Sequence, residues 1–297
     1  MRATDRPAIE TIVDLDLYEM PLSMLLPAGN VAALEPWRHL FEGDHVDYAR
    51  GMVRIAIKSN VARVGGQTIL VDACVGEHKE RPQRVEWHQR QGTDFLSKLA
   101  QVGCRPEDID IVMCTHLHAD HVGWNTRLEN GKWTPTFPNA RYIVGYEELA
   151  YWQAQAAKSP EVNHGSYQDS VLPVLEAGMI DTVAANDEVA DGAVIVPLPG
   201  HTAGQIGLQI SQLNGPDVLF CGDAIHSPVQ VPYPEWASFL CFDPSAAINT
   251  RESIIERASS SDLVLAPAHV REAFGMRIKR EGARHRPIFC DCFGRPV

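Results

Sequence analysis

Basic charge is scarce in this chain of 297 residues: 26 Lys and Arg stand against 38 Asp and Glu, a formal net charge of -12. That balance excludes a general nucleic-acid binder, which needs clustered Lys and Arg against phosphate. It equally excludes electrostatic docking on anionic lipid. Long apolar runs are missing too. The most apolar stretch near the start, Met20 to Leu34, is interrupted by Pro21, Pro27, Gly29 and Asn30. It is too short to span a bilayer, and residues 1–35 are expected to form an ordered arm or lid packed on the body. The opening residues, Met1-Arg2-Ala3-Thr4-Asp5-Arg6-Pro7, show no apolar core after a basic end, so no signal peptide is expected. Disulfide-like spacing is absent: the seven cysteines are odd in number and scattered. Reduced thiols in a cytoplasm are the expectation. Cys290 and Cys292 form a single C-x-C, weak evidence for a metal site. No linker, repeat or low-complexity segment stands out. At 45% hydrophobic and 22% charged, the chain suits one soluble domain over 1–297 with a large core.

Patterning places the elements. Met52 to Lys58 alternates like a strand, and Gly65-Gly66 followed by Thr68 to Asp72 suits a hairpin. Thr93 to Val102 reads as a helix: Thr93 as cap, Phe95, Leu96, Leu99 and Val102 as one apolar stripe, Gly103 as the stop. Ile109 to Cys114 reads as a buried strand. Further strands are expected at 141–145, 193–198, 205–210 and 218–220, with a last one at 263–265. Helices are expected at 146–157 and from Asp243 to about Ala258, the latter with Asp as cap and Pro in the first turn. Strands interleaved with helices imply an α/β sandwich with helices on the outer faces of two sheets.

Histidine is what the chain concentrates. Residues 115–121 read Thr115-His116-Leu117-His118-Ala119-Asp120-His121, three imidazoles and a carboxylate directly after a buried strand. Neutral imidazole and carboxylate are ligands that Zn, Fe, Mn and Co accept, and a rigid strand end can hold them in fixed geometry. Later strand ends deliver His201 in Pro199-Gly200-His201, Asp223 just beyond Phe220, and His269 in Pro267-Ala268-His269.

This pattern, His116-x-His118-x-Asp120-His121, then His201, Asp223 and His269 in order, resembles the metallo-β-lactamase-fold hydrolases. The resemblance implies an α/β (α+β) fold, a four-layer αββα sandwich with metals at one edge of the sheets. It implies two divalent ions, Zn2+ first and Mn, Fe or Co as alternatives: His116, His118 and His201 on one, Asp120, His121 and His269 on the other, Asp223 bridging. Two cations roughly 3.5–4 Å apart can share a hydroxide and clamp a reacting group. The remaining histidines, His39, His45, His78, His88, His164 and His285, receive no metal role.

Details of the motif narrow the class. Zinc β-lactamases of the best-known type place a Cys near the bridge; here Asp223 holds it and Cys221 is expected to pack in the strand. The oxygen-reducing di-iron relatives carry Glu where this chain has His118. Acyl-homoserine lactonases of this fold commonly have a Tyr three residues after the bridging Asp; this chain has His226, in a stretch from Gly222 to Gln230 similar to the methyl parathion hydrolase group. The expected activity is therefore cleavage of an ester or lactone by a metal-bridging hydroxide, with Asp120, Asp223 and His226 as catalytic groups. The alternative is an organophosphate triester hydrolase, and a β-lactam hydrolase ranks lower. A nuclease, or a binding protein that has lost catalysis, ranks lower still. Trp124, His226, Tyr233, Trp236, Phe239 and Phe242, with Met20, Leu25 and Leu26 from the arm, are expected to line a pocket for a small, fairly apolar substrate. No nucleic-acid or membrane partner is expected, and a homodimer is compatible with the arm. Arg271 to Arg286 is expected to be a solvated basic face rather than an anion or partner site.

Overall fold

The structure, a computed structural model, describes residues 9–297. Residues 1–8 of the expected arm lie outside the described residues. From Ile9 the chain is a strand, Ile9–Pro21, at one end of a seven-stranded sheet. The spatial order continues through Met52–Val64, Gln67–Val71, Ile111–Met113, Arg141–Gly145 and Ile180–Val183, with Val46–Asp47 added beside Met52–Val64. A second seven-stranded sheet follows chain order: Glu188–Ala190, Ala193–Pro197, Ile206–Ile210, Asp217–Gly222, Leu263–Pro267, Gly275–Glu281 and Arg284–Cys290. Contacts cluster into two compact units. One runs up to Asp14 and resumes over Lys58–Ile195; the other comprises Leu15–Ile57 and Val196–Val297.

In the first unit the Gly65-Gly66 turn joins antiparallel strands, as the pattern required. Gln67–Val71, Ile111–Met113, Arg141–Gly145 and Ile180–Val183 then pair in parallel. Parallel strands are covered on both faces, which is why Ile111-Val112-Met113 is uninterrupted in its apolar character and wholly buried. Each such side chain contributes roughly 1.5–3 kcal/mol by leaving water. The helix Tyr146–Lys158 buries Leu149, Trp152 and Ala156 on one stripe. The helix expected from Thr93 is shorter, Phe95–Gln101, and Asp94 stands at its N-cap without a side-chain bond. Thr93 is not the cap; its backbone N–H donates to Glu77 instead.

In the second unit the helix Pro244–Ser259 starts as expected, with Asp243 Oδ1 accepting from the Ala246 N–H at 3.0 Å. Its inner face buries Ala247, Ile254, Ile255 and Ala258, three of which, Ile254, Ile255 and Ala258, pack in a cluster with Leu219, Leu263 and Leu265. Arg251 lies on the same buried face. Its guanidinium donates to the carbonyls of Ala224 at 2.8 Å and Pro234 at 2.6 Å, bracing the loop that follows Asp223. Leu263–Pro267 is not the last strand. The basic segment forms an antiparallel hairpin, Gly275–Glu281 with Arg284–Cys290. Met276 and Ile278 are buried while Arg277 and Lys279, on the alternate face, and Arg280 near the strand end are exposed, so an alternating strand carries what reads in sequence as a run of cations. Arg277, Arg280 and Arg284 pair with Asp262, Glu256 and Glu235. Among the described residues no helix is long and apolar enough to cross a membrane.

Candidate metal centre

Four candidate ligands lie in the first unit, at the carboxyl end of the parallel strand Ile111–Met113. Ligand sites of open parallel sheets collect at this end. His116 and His118 face one another, Nε2 to Nδ1 at 3.1 Å, and both rings are turned so that two nitrogen lone pairs compete for one proton or share a cation. His116 is held from behind by the Thr115 hydroxyl at 3.1 Å from its Nδ1. His121 presents Nδ1 to Asp72 Oδ2 at 2.9 Å, which leaves Nε2 on the opposite side, 3.9 Å from Asp120 Oδ2. Asp72 is the positioning group that the sequence reading missed. Its carboxylate also accepts from the Thr115 N–H at 2.8 Å and from the Thr115 hydroxyl. A carboxylate behind an imidazole selects the tautomer whose other nitrogen is free for a metal. The only available signal is that Asp72 ends an apolar strand.

The turn carrying Asp120 and His121 is fastened by backbone. Ala73 N–H donates to His121 O at 2.7 Å, Gly123 N–H to Cys74 O at 2.7 Å, and Trp124 N–H to Ala73 O at 2.6 Å. Such close approach demands glycine at 123: a Cβ there would sit 1.9 Å from the backbone of Val75. Gly123→Ala is expected to cost roughly 3 kcal/mol or more, since backbone rather than a pliable side chain must move. Thermal unfolding measures this; an unchanged Tm would show that the two segments separate freely.

The second unit gathers the remaining candidates around one carboxylate. Asp223 follows the strand Asp217–Gly222, and His269 follows its parallel neighbour Leu263–Pro267. Asp223 lies 3.1 Å from His269 Nε2 through Oδ1, and 3.5 Å from both His201 Nε2 and His226 Nε2 through Oδ2. Donor atoms of His201, Asp223 and His226 fall within 4.8 Å of one another, all three residues buried. His269 Nδ1 faces the Ala56 carbonyl at 2.8 Å, which orients Nε2 toward the carboxylate. Gly200 sets the approach to His201 at φ +123, and a Cβ would meet Ala247 N at 2.1 Å. The donor set of imidazole and carboxylate fits a borderline or hard divalent cation. Cys221 is buried in the core cluster. Cys241 Sγ lies 3.9 Å from His201 Nδ1, and burial raises its pKa. The candidate donors of this unit, His201, Asp223 and His226, are thus centred on a carboxylate.

The expected pocket residues separate. Trp124 is buried with its ring stacked on Phe95, centroids 5.0 Å apart. Tyr233 and Trp236 stack on each other at 4.3 Å, and the Tyr233 hydroxyl donates to Ala33 O. Phe239 and Phe242 are exposed, at 45% and 59%. The Phe242 N–H donates to His201 O at 2.9 Å and the Phe239 N–H to Leu25 O at 3.1 Å, which places these two rings on the loop tied to a candidate ligand.

Comparison with known proteins gives the same direction. A probable metallo-hydrolase of Mycobacterium bovis is 26% identical over 194 residues, 60% of this chain and 60% of the relative; the match thus spans less than two thirds of that relative's length. The N-acyl homoserine lactonase AiiB of Agrobacterium fabrum is 26% identical over 245 residues, 77% of this chain and 84% of the relative. Among solved structures, AidC, a dizinc quorum-quenching lactonase in complex with a product, superposes with a TM-score of 0.75 at 20% identity, covering 94% of this chain and 93% of that one. At that identity the likeness establishes the shared sandwich fold. The model of the metallo-beta-lactamase superfamily matches residues 56–269, well over half of the sequence and a span that contains the candidate ligands of both units, and the chain therefore belongs to that superfamily.

Proposed function

We propose that the two sets of ligands act together as a binuclear centre, and that the protein is a metal-dependent hydrolase of an ester or lactone in a small, fairly apolar substrate. The observation that carries this reading is the Asp223 cluster, a buried carboxylate with three imidazole nitrogens within 3.5 Å. His116, His118 and His201 would hold one ion, Asp120, His121 and His269 the other, and Asp223 would serve both; Zn2+ suits this set, and Mn, Fe or Co would also be accepted. Bound there, two divalent ions would supply a water acidified toward neutral pH and polarise the scissile carbonyl.

The chain's own groups supply the rest. Asp72 and the Ala56 carbonyl hold His121 and His269 in the tautomer that leaves Nε2 available. Asp120, whose side chain is 14% exposed, is open enough to take a proton and pass it to the leaving oxygen. His226, 3.5 Å from Asp223 through Nε2, would donate a hydrogen bond to a substrate oxygen. The exposed rings of Phe239 and Phe242 offer apolar surface on the loop joined to His201, and Met24 offers more on the short helix Leu22–Leu25. Lactones suit the arrangement because the leaving oxygen remains tethered near the reacting centre, and the lactonase relatives support that choice of substrate.

The test compares a long-chain acyl lactone, an aryl ester and a phosphotriester on zinc-reconstituted protein. A lead for the lactone of about a hundredfold in kcat/KM, roughly 2.7 kcal/mol of transition-state preference, is the expected result. A comparable lead for the phosphotriester would transfer the protein to the organophosphate reading that the Gly222 to Gln230 stretch favours. No turnover of any of the three would sink the hydrolase assignment.

A further inference from the structure

We propose that Asn163 is a positioning residue for His118, acting by clamping the backbone on both sides of it. Only the role of His118 as a ligand rests on the hydrolase reading; the clamp itself does not. Asn163 Oδ1 accepts from the Ala119 N–H at 3.2 Å, and its Nδ2 donates to the Leu117 carbonyl at 2.7 Å and to Ser166 Oγ at 2.7 Å. Leu117 and Ala119 flank His118, so one side-chain amide ties the residues on either side. The other polar group of Leu117, its N–H, donates to the buried Glu148 carboxylate at 2.9 Å. His118 itself is extended, at φ -65 and ψ 154, just before the short helix Ala119–Val122. It belongs to no strand, and these bonds take the place that a sheet ladder would fill.

The conformation of the clamp reinforces the inference. Asn163, His164 and Gly165 are three consecutive left-handed residues, at φ 53, 58 and 75. Glycine adopts this region freely and asparagine with modest cost, whereas histidine does so rarely. Backbone strain of this kind persists where surrounding structure imposes it, and it gathers at functional sites. The imposing group is Arg81, fully buried. Its guanidinium donates to the His164 carbonyl at 2.8 Å and grips the Asp169 carboxylate through two bonds, at 2.7 and 2.8 Å. An ion pair with a buried arginine thus fixes the left-handed turn, and the turn aims the Asn163 amide at the peptides around His118. The residue type follows from both demands. Glycine accepts the backbone but has no amide; aspartate can accept from Ala119 but cannot donate to Leu117; asparagine does both.

The decisive variant is Asn163→Gly, which keeps the left-handed backbone and deletes both bonds to the residues flanking His118, together with the one to Ser166. Asn163→Asp restores the acceptor alone. Three readouts apply: hydrogen exchange at the Ala119 amide in metal-free protein, zinc affinity by competition with a chromophoric chelator, and the split of any turnover into kcat and KM. For Asn163→Gly, the expectation is a Tm within a few degrees of the parent. Exchange at Ala119 should be about tenfold faster, zinc affinity roughly 10–100-fold weaker as for other groups that orient ligands, and kcat lower at unchanged KM. Asn163→Asp should recover the Ala119 protection and part of the affinity. Unchanged exchange and affinity in Asn163→Gly would overturn the proposal, and so would losses that merely track a large fall in Tm. The exchange readout needs neither metal nor substrate, so it decides on the clamp even where turnover fails and the hydrolase reading falls.

Discussion

Asp223→Ala is expected to strip at least one ion from each chain and to lower kcat/KM by three orders of magnitude or more, about 4 kcal/mol of transition-state stabilisation. The size of the effect follows from the surroundings of this side chain. Three imidazole nitrogens lie 3.1 to 3.5 Å from its two oxygens, and the residue is buried. A cation held among neutral imidazoles alone, away from water, meets a large desolvation cost with no counter-charge to offset it. In the proposed centre this carboxylate would serve both ions, and its removal would take away the group that holds them together. The same variant should lose the thermal stabilisation that zinc confers on the parent, about 2.7 kcal/mol at a hundredfold excess over Kd. Metal content by elemental analysis and Tm with and without zinc would be read together. Unchanged metal content would remove Asp223 from the bridging position.

Asp72→Asn should have the next largest effect, although Asp72 is not itself a proposed ligand. The Thr115 N–H requires an acceptor at one oxygen of residue 72, and His121 Nδ1 faces the other. In the amide, the carbonyl oxygen goes to Thr115 and the NH2 turns toward His121. Nδ1 then accepts, and the imidazole proton moves to Nε2, the nitrogen that would bind metal. The side chain keeps its shape while the tautomer inverts. Zinc affinity should fall roughly 10–100-fold, and activity at saturating zinc should stay below that of the parent, because the ring is oriented through the wrong proton. Loss of a buried charge-assisted bond should also cost about 1.5–3 kcal/mol of stability. Zinc binding by Asp72→Asn as tight as the parent's would show that Asp72 does not set the tautomer.

Much of this is legible in the sequence. Alternation marked the strands around the Gly65-Gly66 turn, and the Asp243-Pro244 start marked the helix Pro244–Ser259, because both signals depend on neighbours in sequence. The hairpin over Gly275–Glu281 and Arg284–Cys290 was obscured: its outward arginines dominate the composition, and the alternation of Met276 and Ile278 is too short to stand out. The Ile9–Pro21 strand was hidden for a related reason. Only some of its apolar side chains are buried, so it shows no regular period.

The sequence by itself determined the chemical inventory: histidines and aspartates at strand ends, in the order and spacing of a metallohydrolase, with Asp223 rather than a thiolate after Gly222. Ligand identity is a property of side chains and therefore survives in one dimension. Orientation does not. Which nitrogen of His121 faces inward depends on Asp72, 49 positions earlier. For His269 it depends on the carbonyl of Ala56, a backbone atom that no residue type announces. The clamp on His118 depends on an asparagine whose left-handed φ is imposed by a buried arginine from another segment. Tertiary structure decided these matters because a hydrogen bond is a relation between distant groups, and only the folded chain brings both of its ends together.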